Sequence, residues 1–257
     1  MQRPREGARM VEGVCDFSRF FEIVEADTEA LRHEVYRIRH RVYVDELGWE
    51  AAGGQESQEE TDIYDRRAIF CLLKHLATGR FIGCLRLVLA DPLDPKAAFP
   101  FEALAPLATR ALAARHGEFW RVHAAEISRT AVIGDFRRRG AERLSPVSES
   151  NGERPDPGQS LHDERRGFPH IAAGLYVGAA ALGMAHQMAR VFALMEPRLA
   201  RRLRVYGIQF EQLGPPVEHH GKRAAYGLEA SSFEQGLSSD LSDLLWTIRQ
   251  TLAARRG

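Results

Sequence analysis

Lysine is almost missing from this sequence: Lys74, Lys96 and Lys222 are the only ones among 35 basic residues. Positive charge is therefore carried by arginine, whose planar fork suits bidentate binding of carboxylates and other anions. Net charge is missing too, because 35 acidic residues balance the basic ones. The chain offers no overall field for nucleic acid or an anionic membrane surface, and neither is expected as a partner. No apolar run reaches the roughly 18 residues of a membrane helix, so no integral membrane segment is expected. The opening stretch has basic residues but no continuous hydrophobic core ahead of its acids. A secretory leader is not expected, and a cytoplasmic location is. The three cysteines, Cys15, Cys71 and Cys84, form no CxxC pair and no disulfide framework. Cys71 and Cys84 lie in apolar runs and read as small core residues. There is no GxGxxG after a strand, no GxxxxGK before Ser or Thr, and no HExxH. His219 and His220 are adjacent and, as strand neighbours, poorly placed to share one metal. They read as solvated histidines, and no metal site is expected. The runs Arg137–Arg139 and Arg201, Arg202, Arg204 read as solvated faces.

An apolar content of 44% and a charged content of 27% describe an ordinary globular chain. Its 257 residues suit one large domain with an insertion. Residues 1–16 read as a loose leader and 17–257 as a single domain. Phe20 to Val24 reads as a first strand, with Asp27 or Thr28 capping the next helix. In that helix Leu31, Val35, Ile38 and Val42 form an apolar stripe, with Arg39 and Tyr43 one turn apart on an adjacent face. Gly48 ends it, and residues 51–60 read as a polar, flexible loop. Residues 67–90 read as two strands about a turn at Ala77–Gly79. Period two places Arg86 on one face with Ile82, Cys84 and Val88, so its charge needs an anion, a paired acid or solvent. A helical pattern spans 106–116, and 119–132 reads as a strand with Val122, Ala124, Glu126 and Ser128 on one face. Residues 145–168 hold too little apolar surface to offset chain ordering and read as an exposed, mobile insertion. The stretch 169–196 reads as the longest helical segment, and Pro197 opens another helix. Two short strands are expected between Ile208 and Leu228, and an amphipathic helix from Leu237 to Leu252. This order favours one mixed α/β sheet domain.

The acids and arginines keep an ordered spacing. Arg39, Tyr43 and Trp49 resemble the N-terminal Arg, aromatic and Trp of acyl-homoserine-lactone synthases. Asp62 and Asp65 match that family's Asp-x-x-Asp pair, and Arg86 falls on its next arginine in a hairpin strand. Phe101 lies near its phenylalanine, and Glu126 and Arg129 in "EISR" match its strand-end Glu-x-x-Arg. This likeness runs from about residue 28 to 135. The C-terminal half differs, and resembles the larger acyltransferases found beside bacterial exosortase (PEP-CTERM) systems and the long-chain N-acyl amino acid synthases. The resemblance implies a GNAT-like acyl-CoA N-acyltransferase fold, a mixed twisted central sheet flanked by helices. It also implies an acyl-carrier-protein phosphopantetheine thioester or acyl-CoA as donor, with no tightly bound cofactor.

Amide formation from a thioester needs a free amine, a positioned carbonyl and stabilised oxyanion charge, and no serine or cysteine nucleophile. Asp62, Asp65 and Glu126 are the expected catalytic carboxylates, able to hold an ammonium group or relay its proton. Arg39, Asp45, Arg86 and Arg129 are expected to bind the acceptor. Tyr43, Trp49 and Phe101 are expected in the pocket wall. A free amino acid is the preferred acceptor. The alternatives are S-adenosylmethionine, giving an acyl-homoserine lactone, a small-amine GNAT acetyltransferase, and a non-catalytic acyl-carrier-binding protein. The bland alternative for the charged set is a structural ion-pair network.

Overall fold

The computed structural model describes residues 17–51, 58–137 and 168–256. The expected leader at 1–16, the centre of the expected loop at 51–60, and the expected insertion at 145–168 except Phe168 lie outside them.

Helix α1 (Phe17–Phe20) leads into strand β1 (Phe21–Glu25). Helix α2 (Glu29–His40) begins where Thr28, in extended backbone, accepts the Leu31 N–H on Oγ1 at 3.3 Å. That bond satisfies one orphan donor of the first turn. Glu29 at the start and Arg37, Arg39 and His40 at the end complement the helix dipole. Its stripe packs as expected, with Val35, Ile38 and Val42 buried. After His40 the helix widens into a π-helical turn, Arg41–Glu46, and Leu47 N–H donates to Val42 O. Gly48 then adopts φ +63 and the helix ends.

Strands β2 (Ala68–His75) and β3 (Phe81–Leu89) form the expected hairpin. Short α3 (Pro100–Leu104) and α4 (Pro106–His116) each start at a proline, which suits a first helical position. Strand β4 (Ala124–Val132) starts later than expected, since residues 119–123 make a turn and Val122 is exposed. Helix α5 (Gly134–Arg137) follows. The long helical stretch expected over 169–196 is corrected. Helix α6 (Phe168–Ala185) stops at a turn in which Gln187 takes φ +58, and Arg190–Met195 form strand β5. Both pieces are apolar, and periodicity does not separate a buried strand from a buried helix. Pairing with two neighbouring strands decides it.

Helix α7 (Pro197–Val205) follows. The C-terminal return holds one long strand and two minimal ones, not two short strands. These are β6 (Glu211–Gln212), β7 (Val217–Glu218) and β8 (Lys222–Glu229). Helices α8 (Ala230–Gly236) and α9 (Ser239–Arg256) close the described chain, and α9 buries Leu241, Leu244, Leu245, Ile248 and Leu252. No helix among the described residues is long and apolar enough to cross a membrane.

The strands form one mixed sheet in the order β1-β2-β3-β4-β5-β8-β6, with β7 paired to β8. Cys71 pairs with Leu85, and Leu72 with Cys84, so the two cysteines face opposite sides. Cys84 Sγ lies against the Val35 carbonyl of α2, whereas Cys71 Sγ lies under Gly178 of α6. Helices α2 and α6 therefore cover opposite faces. Both thiols are core groups; burial pushes the Cys71 thiol up, and the Cys84 thiol up to about 12.

Two irregularities shape the middle of the sheet. Opposite Leu85, β4 supplies both Arg129 and Thr130, because Arg86 pairs with Ser128 and Cys84 with Ala131. This bulge puts Arg129 at φ +50, a left-handed conformation that a long side chain rarely adopts. Next to it, parallel β4 and β5 pair only from Ala124 with Arg190 to Ile127 with Ala193. Beyond those rungs each strand continues, but they part.

Candidate active site

The parting of β4 and β5 opens a cleft of about 640 Å³. Glu126 and Ile127 are consecutive on β4 and point to opposite faces, yet both line it, as do Asp62 from one face and Tyr176 of α6 from the other. The opening passes through the sheet.

One wall is built around Arg86, fully inside β3 and nearly inaccessible. Its Nη1 donates to Asp62 Oδ1 and to Asp65 Oδ1, both at 2.6 Å, and its Nε to Ser128 Oγ at 3.1 Å. Asp65 Oδ1 also accepts from Arg39 Nη1 at 2.7 Å, and Arg39 Nε donates to Glu60 Oε2 at 2.5 Å. Glu60 Oε1 meets Arg129 Nη2 at 3.2 Å, which lies 3.5 Å from Asp62 Oδ2. The result is a closed ring of three arginines and three carboxylates in alternation: Arg39, Glu60, Arg129, Asp62, Arg86, Asp65. Each buried charge faces opposite charge on both sides, which is how such charges are tolerated away from water. Burial acts to lower the Arg39 pKa, but the hydrogen bond and charge of Glu60, then Asp65, outweigh it and raise it. Burial likewise acts to raise Asp62, but Arg86 outweighs it and holds Asp62 below the usual carboxylate range. Backbone bonds fix the acids: Asp62 N–H donates to Asp65 Oδ2 and Tyr64 N–H to Asp62 Oδ1, each at 2.8 Å.

Six of the seven charged residues expected to converge line the cleft or belong to the ring, but their placement differs. Asp62, Arg86, Arg129 and Glu126 line the cleft. Arg39 is completely buried behind the wall and engaged by two carboxylates, so it holds the ring and is not placed to bind an acceptor. Asp65 lies behind it too, with both oxygens engaged, and is not placed to exchange a proton with substrate. Asp45 stands apart: its side chain is 59% exposed and faces His40 Nδ1 at 3.6 Å. Six residues after Arg39, Asp45 is about 120° away around the axis even in a regular helix, and it does not line the cleft.

Glu126 sits elsewhere in the same cleft. It is buried, and its Oε2 accepts the Phe101 N–H at 2.9 Å. Burial raises its pKa to about 8, against the lowering effects of that bond and of Arg86. Phe101 is held by a second device, Glu102, which accepts the Phe99 N–H and a two-pronged contact from Arg121.

Tyr43 and Trp49 line the cleft as expected. Tyr43 donates its hydroxyl to Thr130 O at 2.9 Å, and its ring stacks on Trp49 with centroids 6.1 Å apart. Sequence reading misses Glu60, which closes the ring from a stretch that reads as loop; the acids Glu59, Glu60, Asp62 and Asp65 are the available signal. His220 and Arg202 are exposed, as expected, and together with half-buried His219, Arg137 and Arg223 they border the cleft.

Residues 38–145 match the family model described as Acetyltransferase (GNAT) domain. The fold is the GNAT acyltransferase fold. Solved structures with this GNAT fold extend the likeness across the sheet. The CoA-dependent acyl-homoserine lactone synthase BjaI, with SAM and isopentyl-CoA, is 18% identical at a TM-score of 0.56, covering 90% of this chain and 89% of that one. TofI in a ternary complex with an inhibitor and MTA is 18% identical at a TM-score of 0.54, covering 86% and 99%. FeeM, an N-acyl amino acid synthase from uncultured soil microbes, is 14% identical at a TM-score of 0.53, covering 87% and 97%. No curated protein sequence matches.

Proposed function

We propose that this protein transfers an acyl group from a coenzyme A or carrier-protein thioester to the primary amine of a small acceptor that also carries a carboxylate. The observation that carries the reading is the through-sheet cleft at the β4–β5 parting, walled by the charge ring and by Glu126. Strands that separate leave N–H and C=O groups that an extended arm such as phosphopantetheine can pair with. Asp62, kept ionised by Arg86, offers the acceptor ammonium an anion at the cleft surface. Among the described residues, Arg129 Nε and Arg223 Nε are buried without a hydrogen-bond partner, and both residues line the cleft. A carboxylate between them would satisfy those donors. Glu126, protonated at neutral pH, suits donation of a proton to the departing thiolate. Arg39 and Asp65 position the ring.

On the α6 face an apolar void of about 30 Å³ shares Ile127 and Tyr176 with the cleft and is otherwise bordered by residues such as Ala180, Met184 and Phe233. It suits the far end of an acyl chain. Homoserine-lactone synthases recur among the similar structures, so S-adenosylmethionine ranks ahead of the free amino acid, reversing the order preferred from sequence. FeeM supports the free amino acid as the second acceptor. Coenzyme A as donor is supported by the likeness to CoA-dependent synthases. Nothing in the comparisons bears on an exosortase association.

The test is mass spectrometry of products after incubating the protein with CoA and carrier-protein thioesters of several chain lengths, with S-adenosylmethionine or pooled amino acids. An acyl-homoserine lactone identifies the first acceptor, and an N-acyl amino acid the second. Acetylated amines alone, or no product where control synthases work, overturn the reading.

A further inference from the structure

The tip of the β7–β8 hairpin lies at His219–Gly221. His219 N–H donates to Gly221 O at 3.0 Å, and His220 and Gly221 take φ +49 and +93. This tight reversal sets the two imidazoles side by side, 4.6 Å between centroids and inclined by 59°. His220 then lies flat on Trp49, at 4.9 Å and 13°, while the Arg223 guanidinium sits over the same indole at 5.3 Å. Trp49 is itself stacked on Tyr43, so the hairpin tip is fastened to the segment that follows α2. With His220 held in this way, His219 is carried to the lining of the cleft, near Arg129 and Glu50, in the cleft that Asp62 also lines.

We propose that His219 is the group that takes the proton from the acceptor's ammonium, with His220 and Trp49 as its positioning residues. This rests on the acyl-transfer reading of the cleft. Of the other candidates there, Asp62 is committed to Arg86 and Arg129, and a carboxylate held so firmly ionised is a weak base. Glu126 carries its proton at neutral pH and is not free to accept another. His219 feels burial first, then His220 and Arg223 of its own hairpin and Arg129 of β4, all lowering its pKa, against Glu50 raising it. The net effect is downward, so the imidazole is neutral at pH 7 with a lone pair available. Proton transfer from R–NH3+ to His219 leaves R–NH2, whose lone pair attacks the thioester carbonyl and forms the C–N bond. The C–S bond then breaks, the thiolate leaves with the Glu126 proton, and the second nitrogen proton restores Glu126. The His219 proton returns to solvent through the cleft mouth.

The test compares wild type with His219→Gln by thiol release from acyl-CoA in the presence of S-adenosylmethionine or amino acids, as a function of pH. The expected result is a loss of roughly 100-fold in kcat at pH 7, little change in KM, and a gap that closes as pH rises and the amine deprotonates unaided. His219→Asn serves as the second variant should His219→Gln not fold. On the wild-type chain, the NMR titration of the His219 imidazole should shift when S-adenosylmethionine or an amino acid acceptor is added. A folded variant with wild-type kcat and pH profile, or a His219 titration indifferent to acceptor, overturns the assignment while leaving acyl transfer intact. A wild-type protein inactive with every thioester and amine overturns acyl transfer itself, and with it the role of His219.

Discussion

Arg39 and Glu126 are both buried charged-type residues, and the protein resolves the problem of burying them in opposite ways. Arg39 stays charged because Glu60 and Asp65 surround it. Among the described residues Glu126 has no ion-pair partner, and burial keeps its proton on. Replacing Arg39 by Met leaves two buried carboxylates each short of a cation, and should lower stability by ~3 kcal/mol or more. Urea denaturation measures this; an unchanged midpoint would show that the ring contributes nothing. For Glu126 the sign follows from a folded-state pKa of about 8 against an ordinary 4.5. Below the ordinary value the group is protonated whether folded or not, and its favourable contribution is complete. As pH rises towards 8 the unfolded chain gains by ionising while the folded one does not, so stability drains away across that window. Glu126→Gln should remove that slope, so wild type should lose ground to the variant in denaturation series from pH 4.5 to 8. Parallel curves would mean that Glu126 titrates normally.

At the level of elements, α6 packs tightly on the sheet at Gly178. A Cβ there would lie 2.9 Å from Ile23 Cγ2 and 3.2 Å from Cys71 Sγ. Alanine is the better helix former by ~1 kcal/mol, but the methyl group must push β1 and β2 away. Gly178→Ala should therefore lower Tm, by an overpacking cost of ~1–3 kcal/mol; a raised Tm in a thermal melt would mean the helix yields freely. This packing also marks how far sequence carried. Helix α2 was legible because Thr28 caps it and its apolar stripe repeats at helical spacing, and β2–β3 because two apolar runs flank a turn. Asp62, Arg86, Glu126 and Arg129, grouped in advance by the family resemblance, do line one cleft. Strand β5 was not legible, since its apolar run continues that of α6 and only long-range pairing distinguishes them. Asp45 does not join the set, since six residues after Arg39 it lies on a different face of the helix. Glu60 and the two histidines were missed for a common reason: their partners, Arg129 and Trp49, lie far off in the chain, and no local pattern announces such contacts.

Across the whole molecule, the sheet is pierced where its antiparallel and parallel parts join. Polar groups gather on the α2 side and apolar ones on the α6 side, so a thioester lying in the gap would have its reacting end and its acyl tail on different faces. Filling the apolar void should then affect the tail alone. Ala180→Trp is expected to reduce kcat/KM for long-chain thioesters by at least about tenfold relative to short-chain ones, consistent with the ~1–3 kcal/mol discrimination of an apolar pocket per methylene lost or gained. Competition between two chain lengths in one reaction measures the ratio directly. An unaltered ratio would place the tail elsewhere.

The single oxygen of Asp65 that serves both Arg39 and Arg86 ties the histories of three positions together. Loss of the aspartate alone would set two guanidiniums against each other in a dry interior. Loss of one arginine would leave the other to hold an acid placed for two. Their substitutions are therefore strongly non-additive. Drift at any one of these sites passes through a poorly folded ancestor unless the others change with it, so the trio behaves as one inherited character spread over three codons.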